Sequence, residues 1–189
     1  MNILLSDINV PRLLLNGSAG LVIVAIHGFL LALFARMLGD EGPSHDGRRT
    51  LNPFAHIDIF SLAGFAFVQL GWIRLMDICA SDIRGGLLGI AAAVILALLA
   101  TWAIGQGLMA SRLFLVTVVS QDFLMAAEAW LFTFTRLSER FALFNLLPLL
   151  SLSAGHVTRG WLPIALLDRP LVLSGLTLIL AVLVRIWFW

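Results

Sequence analysis

Two uncharged apolar runs constrain this chain more than any other feature of its sequence. The first extends from Leu13 to Ala35 and the second from Gly85 to Ser111. A helix needs roughly 20 predominantly apolar residues to cross the hydrocarbon core of a bilayer, and both runs exceed that length. We therefore predict that both form membrane-spanning helices.

Three further segments are apolar but interrupted by polar residues: Ile59 to Ile73, Phe123 to Thr158 and Leu171 to Val184. Each is expected to span the membrane or to enter it partway. Of all residues, 60% are hydrophobic and only 12% are charged, against about 25% charged in a typical soluble domain. The sequence thus predicts an all-α membrane protein with four to six transmembrane or re-entrant helices, forming one domain over residues 1–189.

The one clearly polar stretch, residues 39–52, has the Gly, Pro, Asp and Ser content of a loop. Asp7, Asn9 and Pro11 near the start argue against a cleavable signal sequence, so we expect the first span to be retained. Loop arginines divide evenly between the two sides and do not orient the chain. Cys79 is the only cysteine, which excludes an intrachain disulfide. Aromatic anchors at the membrane interface are expected at Trp161, Trp187 and Trp189.

Four stretches, taken together, resemble the site-2 protease family of intramembrane zinc metalloproteases. They read HGFLLALFARMLGD from His27, GRRTLNPFAHIDI from Gly47, the pair Gly71 and Trp72, and FNLLPLLSLSAGH from Phe144. The family pattern has H-E-x-x-H before a leucine-glycine-aspartate turn, then L-N-P-x-x-H-I-D, and later F-N-L-L-P-x-x-P-L-D-G-G. The resemblance implies a site-2 protease-like helical core.

In that family, zinc is held by the two histidines of H-E-x-x-H and by the later aspartate, and the glutamate is the general base. Carried onto this chain, the resemblance places His27 at the first histidine. Gly28 stands for the glutamate, Leu31 for the second histidine and Ser153 for the aspartate. A glycine accepts no proton and a leucine binds no metal. The resemblance therefore implies a degenerate, non-catalytic site, with no cofactor.

Several polar residues allow more than one interpretation. His27 is expected to be a neutral, hydrogen-bonded imidazole; a rebuilt metal site would use His27, His156 and His56, and haem ligation is a further alternative. Glu128 either relays protons or ions, or it pairs with an arginine such as Arg112 or with a partner chain. Asp58 is expected to stabilise the start of the helix after it. Close helix packing is predicted at a set of small residues: Gly85, Gly86, Gly89 and Gly105.

A protease scaffold without its site can still bind a transmembrane helix in the groove that once admitted a substrate. We therefore expect an accessory or structural subunit of a larger membrane complex, with a bacterial energy-converting complex as one candidate. Its partners would be membrane lipids and other transmembrane subunits, with no nucleic acid, in the bacterial inner (cytoplasmic) membrane. The alternatives are an intramembrane zinc protease with a displaced metal site, and a regulatory decoy that binds transmembrane substrates.

Overall fold

The fold is known from a computed structural model, which describes residues 9–149, 151–158 and 169–188. Within these ranges the regular structure is helical and contains no strand. The helices are α1 (Val10–Met37), α2 (Gly42–His45), α3 (Pro53–His56), α4 (Ile59–Val68), α5 (Leu87–Ala110), α6 (Arg112–Val118), α7 (Gln121–Asn145), α8 (Gly155–Thr158) and α9 (Pro170–Phe188).

Three of the described helices, α1, α5 and α9, are long and apolar enough to cross a membrane. The predicted spans from Leu13 to Ala35 and from Gly85 to Ser111 coincide with α1 and α5. The apolar helix α4 is shorter than these three. Helix α7 is long but amphipathic, and it carries the charged residues of the segment from Phe123 to Thr158. The all-helical prediction is thus confirmed for the described residues, in which three helices meet this criterion where the sequence predicted four to six transmembrane or re-entrant helices.

Helices α1, α5 and α7 pack against one another and form the centre of the molecule. Their shared core includes Ile23 and Leu31 from α1, Val94 from α5, and Phe134 and Phe141 from α7. Helix α4 packs on α1, and α9 packs on α4. A second apolar cluster lies there, built around Trp72, Phe144, Leu152 and Ala181.

The side chain of Asp58 caps the start of α4. The Asp58 carboxylate accepts hydrogen bonds from the backbone N–H groups of Phe60 and Ser61 at the start of α4, at 2.9 and 3.2 Å. This confirms the prediction that Asp58 stabilises that helix start. Its second oxygen accepts from the Ser174 hydroxyl at 2.7 Å, which ties α9 to the same point.

Two apolar segments are helical over only part of their predicted length. Helix α4 stops at Val68 because Gln69 adopts a left-handed conformation, with φ of 60°. Helix α7 ends at Asn145, and turns lead from there to the short helix α8. The polar loop remains largely outside regular structure, apart from the single turn of α2.

Gly85 and Gly86 require a correction, since both precede α5 and have positive φ angles of 86° and 58°. L side chains rarely adopt such torsions, so these glycines are needed for the turn rather than for helix packing. A Cβ at Gly89 would overlap the Arg84 carbonyl of that same turn. Of the four predicted glycines, Gly105 alone lies at a close helix–helix contact, where a Cβ would overlap the Ser138 hydroxyl on α7.

The structure describes one predicted ion pair and one predicted aromatic anchor. Glu128 pairs with Arg112, with 3.5 Å between its Oε1 and the arginine Nε, which is the ion pair that one interpretation predicted. Trp187 is 81% exposed, and its role as an interface anchor stays a prediction. Trp161 and Trp189 lie outside the described residues.

Candidate functional site

His27 lies in the middle of the bundle, and its ring is fully buried. Its Nδ1 is 3.1 Å from the Thr101 hydroxyl on α5. Its Nε2 is 2.9 Å from the Ser153 hydroxyl, in the turns after α7. The imidazole therefore connects three parts of the fold that are far apart in the sequence.

Two proton arrangements satisfy this network. In one, the Thr101 hydroxyl donates to the Ala97 carbonyl at 2.7 Å, Nδ1–H of His27 donates to Thr101, and the Ser153 hydroxyl donates to Nε2. In the other, Thr101 donates to Nδ1, Nε2–H donates to Ser153, and the Ser153 hydroxyl donates to the Asn145 amide oxygen at 3.3 Å. Each polar atom of His27 has one partner, and the neutral imidazole fits without an added ion.

Asn145, at the end of α7, positions Ser153. Its amide N–H groups donate to the carbonyls of Gly71 at 2.8 Å and Phe141 at 3.0 Å. Its amide oxygen accepts from the Ser153 backbone N–H at 3.2 Å. Sequence reasoning did not single out Asn145 as a site residue, although it belongs to the stretch that begins at Phe144. We call His27, Thr101, Asn145 and Ser153 the central polar cluster.

His156 is held beside this cluster by backbone groups. Its Nδ1 is 2.9 Å from the Ser153 carbonyl, and its Nε2 accepts from the Met76 backbone N–H at 3.4 Å. The structure thus brings His156 close to Ser153, but both ring nitrogens face backbone atoms.

His56 fills the space beside Gly28. A Cβ at Gly28 would overlap the Nδ1 and Cγ atoms of the His56 ring, so no larger residue fits without a shift. The ring is buried and bonds through Nε2 to the Thr50 carbonyl at 2.8 Å. Its Nδ1 has no hydrogen-bond partner. Burial lowers the pKa of His56 below its ordinary value of 6.5, and the positive charge of Arg48 acts in the same direction.

A catalytic zinc ion does not fit this arrangement. Zinc sites of hydrolases use three protein ligands and an open position for water. Here His27 is engaged on both sides by hydroxyls, Gly28 faces an imidazole ring, and Leu31 is fully buried in the apolar core. Among the described residues, no group of three or more His, Cys, Asp or Glu side chains is placed to hold a metal ion.

The Ser153 hydroxyl on a histidine nitrogen is the pairing found in serine nucleophiles. Both Ser153 and His27 are 0% exposed, however. A substrate bond would have no path to the hydroxyl oxygen in this packing. The arrangement is chemically suited to holding α1, α5 and the turns after α7 together.

Other polar residues of the motif stretches anchor loops. The Asp40 carboxylate accepts from the backbone N–H groups of Gly42 at 2.8 Å and Cys79 at 2.9 Å. The Arg48 guanidinium donates to the carbonyls of Ala55 and Leu75. These bonds fix the polar loop against the segment that follows α4.

An apolar groove of about 480 Å³ runs between α5 and α7. Its walls are Ile95, Leu98, Leu99, Trp102, Ala142, Leu143 and Leu146, with Glu139 as the one acidic residue. Leu99 and Leu143 are 54% and 57% exposed. The groove therefore presents an apolar surface in the part of the chain that the structure describes.

The chain matches no protein-family model, no curated protein and no solved structure. Its function must therefore be argued from the geometry just described.

Proposed function

We propose that this protein is a non-catalytic relative of the site-2 proteases and serves as an accessory or structural subunit of a larger membrane assembly. The observation that carries the proposal is the ring of His56 in the space beside Gly28. A glutamate at position 28 would need that space for its side chain. This packing supports the interpretation that position 28 no longer holds the general base that the resemblance implies.

The contact between His27 and Ser153 supports the relationship to that family. The two residues are 126 positions apart in the sequence, yet their side chains are 2.9 Å apart. In the family pattern, the corresponding histidine and aspartate bind the same metal. If the fold keeps the family's core but has lost the metal, the residues at these two positions should still be neighbours. A hydrogen bond between them fits that expectation.

The groove between α5 and α7 supports the role as a subunit. Transmembrane helices associate by close packing of apolar and small side chains, because lipid offers no hydrophobic gain for association. A groove of about 480 Å³ with exposed leucines and a tryptophan offers such a surface. We propose that a transmembrane helix of a partner subunit occupies it. A bacterial energy-converting complex remains a prediction for the identity of that assembly.

Purification in mild detergent tests this role. We expect the chain to bring down partner subunits at fixed stoichiometry. Leu99→Trp fills the groove while keeping the helix apolar, and it should reduce recovery of the partner. Leu96→Trp is the matched control, since Leu96 is 46% exposed on the same helix but does not line the groove. A monodisperse monomer, or equal loss from both variants, would contradict the proposal.

Metal analysis separates this proposal from the protease alternative. A protease with a displaced metal site should retain about one zinc per chain, because its chemistry depends on the ion. We expect no stoichiometric zinc in the purified protein. One zinc per chain, together with peptide cleavage that a chelator abolishes, would favour the alternative.

A further inference from the structure

Glu139 is the one charged side chain in the groove between α5 and α7, whose other lining residues are apolar. The residue is exposed, so it is accessible from the open side of the groove. A helix that bound there through apolar contacts alone would remove the carboxylate from water and give it no partner, which is costly. The chemistry of the helix that fits the groove therefore depends on Glu139.

Glu139 lies at a level well inside the length of α5. It follows Ser138, whose hydroxyl would overlap a Cβ at Gly105 of α5. Trp102, which lines the same groove, lies about 12 Å along α5 from the helix end at Ala110. Helix α5 is long and apolar enough to cross a membrane, whose hydrocarbon core is about 30 Å thick. The level of Glu139 along α5 thus belongs to the hydrocarbon core.

No residue that the structure describes forms a salt bridge or a side-chain hydrogen bond with Glu139. Arg136 and Arg140, the nearest arginines in the sequence, line a separate cavity of about 320 Å³ between α1, α7 and α9. Arg140 attracts the Glu139 carboxylate through space but donates its hydrogen bond to the side-chain oxygen of Gln69. The guanidinium carbon of Arg136 lies 5.2 Å from the centre of the Phe132 ring. Within the described residues, the carboxylate oxygens of Glu139 therefore remain open to a donor that enters the groove.

Charge complementarity identifies the helix that would fill the groove. An ionisable side chain at membrane depth pairs with a group of opposite charge or faces water. An arginine or a lysine neutralises a carboxylate and donates hydrogen bonds to its oxygens, whereas an apolar side chain does neither. On the basis of the proposed function, in which a partner helix occupies the groove, we propose that this helix carries an arginine or a lysine that pairs with Glu139.

A second copy of this chain supplies no such helix among its apolar spans. The uncharged runs from Leu13 to Ala35 and from Gly85 to Ser111 leave the middle of α1 and of α5 without a basic residue. The one arginine of α9, Arg185, lies in the last turn of that helix. The groove is therefore assigned to a helix of a different subunit.

Synthetic transmembrane peptides test the pairing with the full chain in detergent micelles. The probes are leucine–alanine helices of about 20 residues that differ only in their central residue, which is arginine, glutamine, leucine or glutamate. Resonance energy transfer between a label on the chain and a label on the peptide measures binding. We expect the arginine peptide to bind at least about tenfold more tightly than the glutamine peptide, and the glutamate peptide to bind most weakly. Equal binding of the arginine and glutamine peptides would overturn the proposal.

An exchange of charge shows whether the preference arises at Glu139. Glu139→Gln should abolish the preference for the arginine peptide, and Glu139→Arg should transfer it to the glutamate peptide. A variant that fails to fold cannot produce such a reversal. Asp122→Asn is the matched control, since Asp122 is an exposed acidic residue of the same helix that does not line the groove. Equal effects of Glu139→Gln and Asp122→Asn would mean attraction by the overall charge and would overturn the pairing.

Leu99→Trp distinguishes a failure of the pairing from a failure of the groove as a helix site. Because it fills the groove, this variant should weaken the binding of every peptide. If all four peptides bind equally well and Leu99→Trp weakens them all, the groove binds helices without selecting their charge, so the pairing falls and the role as a subunit stands. If no peptide binds, the groove itself is not a helix site. Self-association of the chain that Leu99→Trp abolishes would assign the groove to a second copy and would also overturn the proposal.

Discussion

The central polar cluster and the cavity between α1, α7 and α9, lined by Arg12, Arg136, Arg140 and Arg185, both bring polar side chains together, but in different surroundings. In the cluster every side chain is buried: His27 bonds to Thr101 and Ser153, and Asn145 binds three backbone groups. In the cavity, Arg136 stays exposed. Removing one partner from a buried network leaves a desolvated group unsatisfied, whereas water can replace the contacts of an exposed side chain.

The comparison predicts the largest loss of stability at Asn145. Asn145→Ala would leave the Gly71 carbonyl and the Ser153 N–H without their partner inside the bundle. Unsatisfied buried groups cost about 1–3 kcal/mol each, so we expect a loss of about 3 kcal/mol in the free energy of unfolding. Denaturant titration in mixed micelles would measure it.

Two controls show whether that loss belongs to the cluster. Asn52→Ala removes an exposed asparagine that caps α3, and it should cost only about 1 kcal/mol. Arg136→Gln removes an exposed charged group from the cavity between α1, α7 and α9 and should change stability by less than about 0.5 kcal/mol. A smaller loss for Asn145→Ala than for Asn52→Ala would contradict the contrast between the two regions.

Gly28→Ala tests the packing beside the cluster and should have the second largest effect. The added Cβ overlaps the His56 ring, and overpacking of this kind costs about 1–3 kcal/mol. Gly17→Ala on the same helix is the matched control, since its Cβ would meet nothing within 4 Å. The free energy of unfolding of that variant should instead rise by about 0.5–1 kcal/mol, because alanine has a higher helix propensity than glycine.

The partner of Gly28 can be identified by a double substitution. In the background of His56→Ala, the added methyl group at position 28 has room, so its cost should largely disappear. Contacting residues show coupling energies of about 0.5–3 kcal/mol in such cycles. If the effects of Gly28→Ala and His56→Ala simply add, the ring of His56 is not what excludes a side chain at position 28.

The features that could be predicted from the sequence are those set by neighbouring residues. The length and hydropathy of two apolar runs predict α1 and α5. The position of Asp58 just before an apolar segment predicts its cap on α4. The prediction of helix packing at Gly85 and Gly86 was wrong, because the sequence alone does not distinguish glycines needed for a turn from glycines at a helix contact.

The features that could not be predicted depend on contacts across the fold. The spacing of Gly28 and His56 in the sequence does not show that the ring of His56 occupies the space where a side chain at position 28 would lie. The cavity between α1, α7 and α9 is lined by arginines 12, 136, 140 and 185, which come from three helices. The resemblance predicts Ser153 as a site residue. That Asn145 positions Ser153 is known only from the hydrogen bonds of the structure.

The smallest expected effect is a dependence of stability on pH that arises at His56. Burial lowers the pKa of His56 in the folded state below 6.5, so folding favours the neutral ring. Its contribution to stability is fully present above pH 6.5 and is lost as the pH falls toward the folded-state pKa. The slope can reach at most about 1.4 kcal/mol per pH unit, the limit for one proton. Unfolding free energies measured from pH 8 to pH 5 should therefore fall less steeply in His56→Ala than in the unmodified chain. His45→Ala, at an exposed histidine of the polar loop, should keep the original slope. If His56→Ala and the unmodified chain lose stability in parallel, the buried ring of His56 is not held neutral by folding.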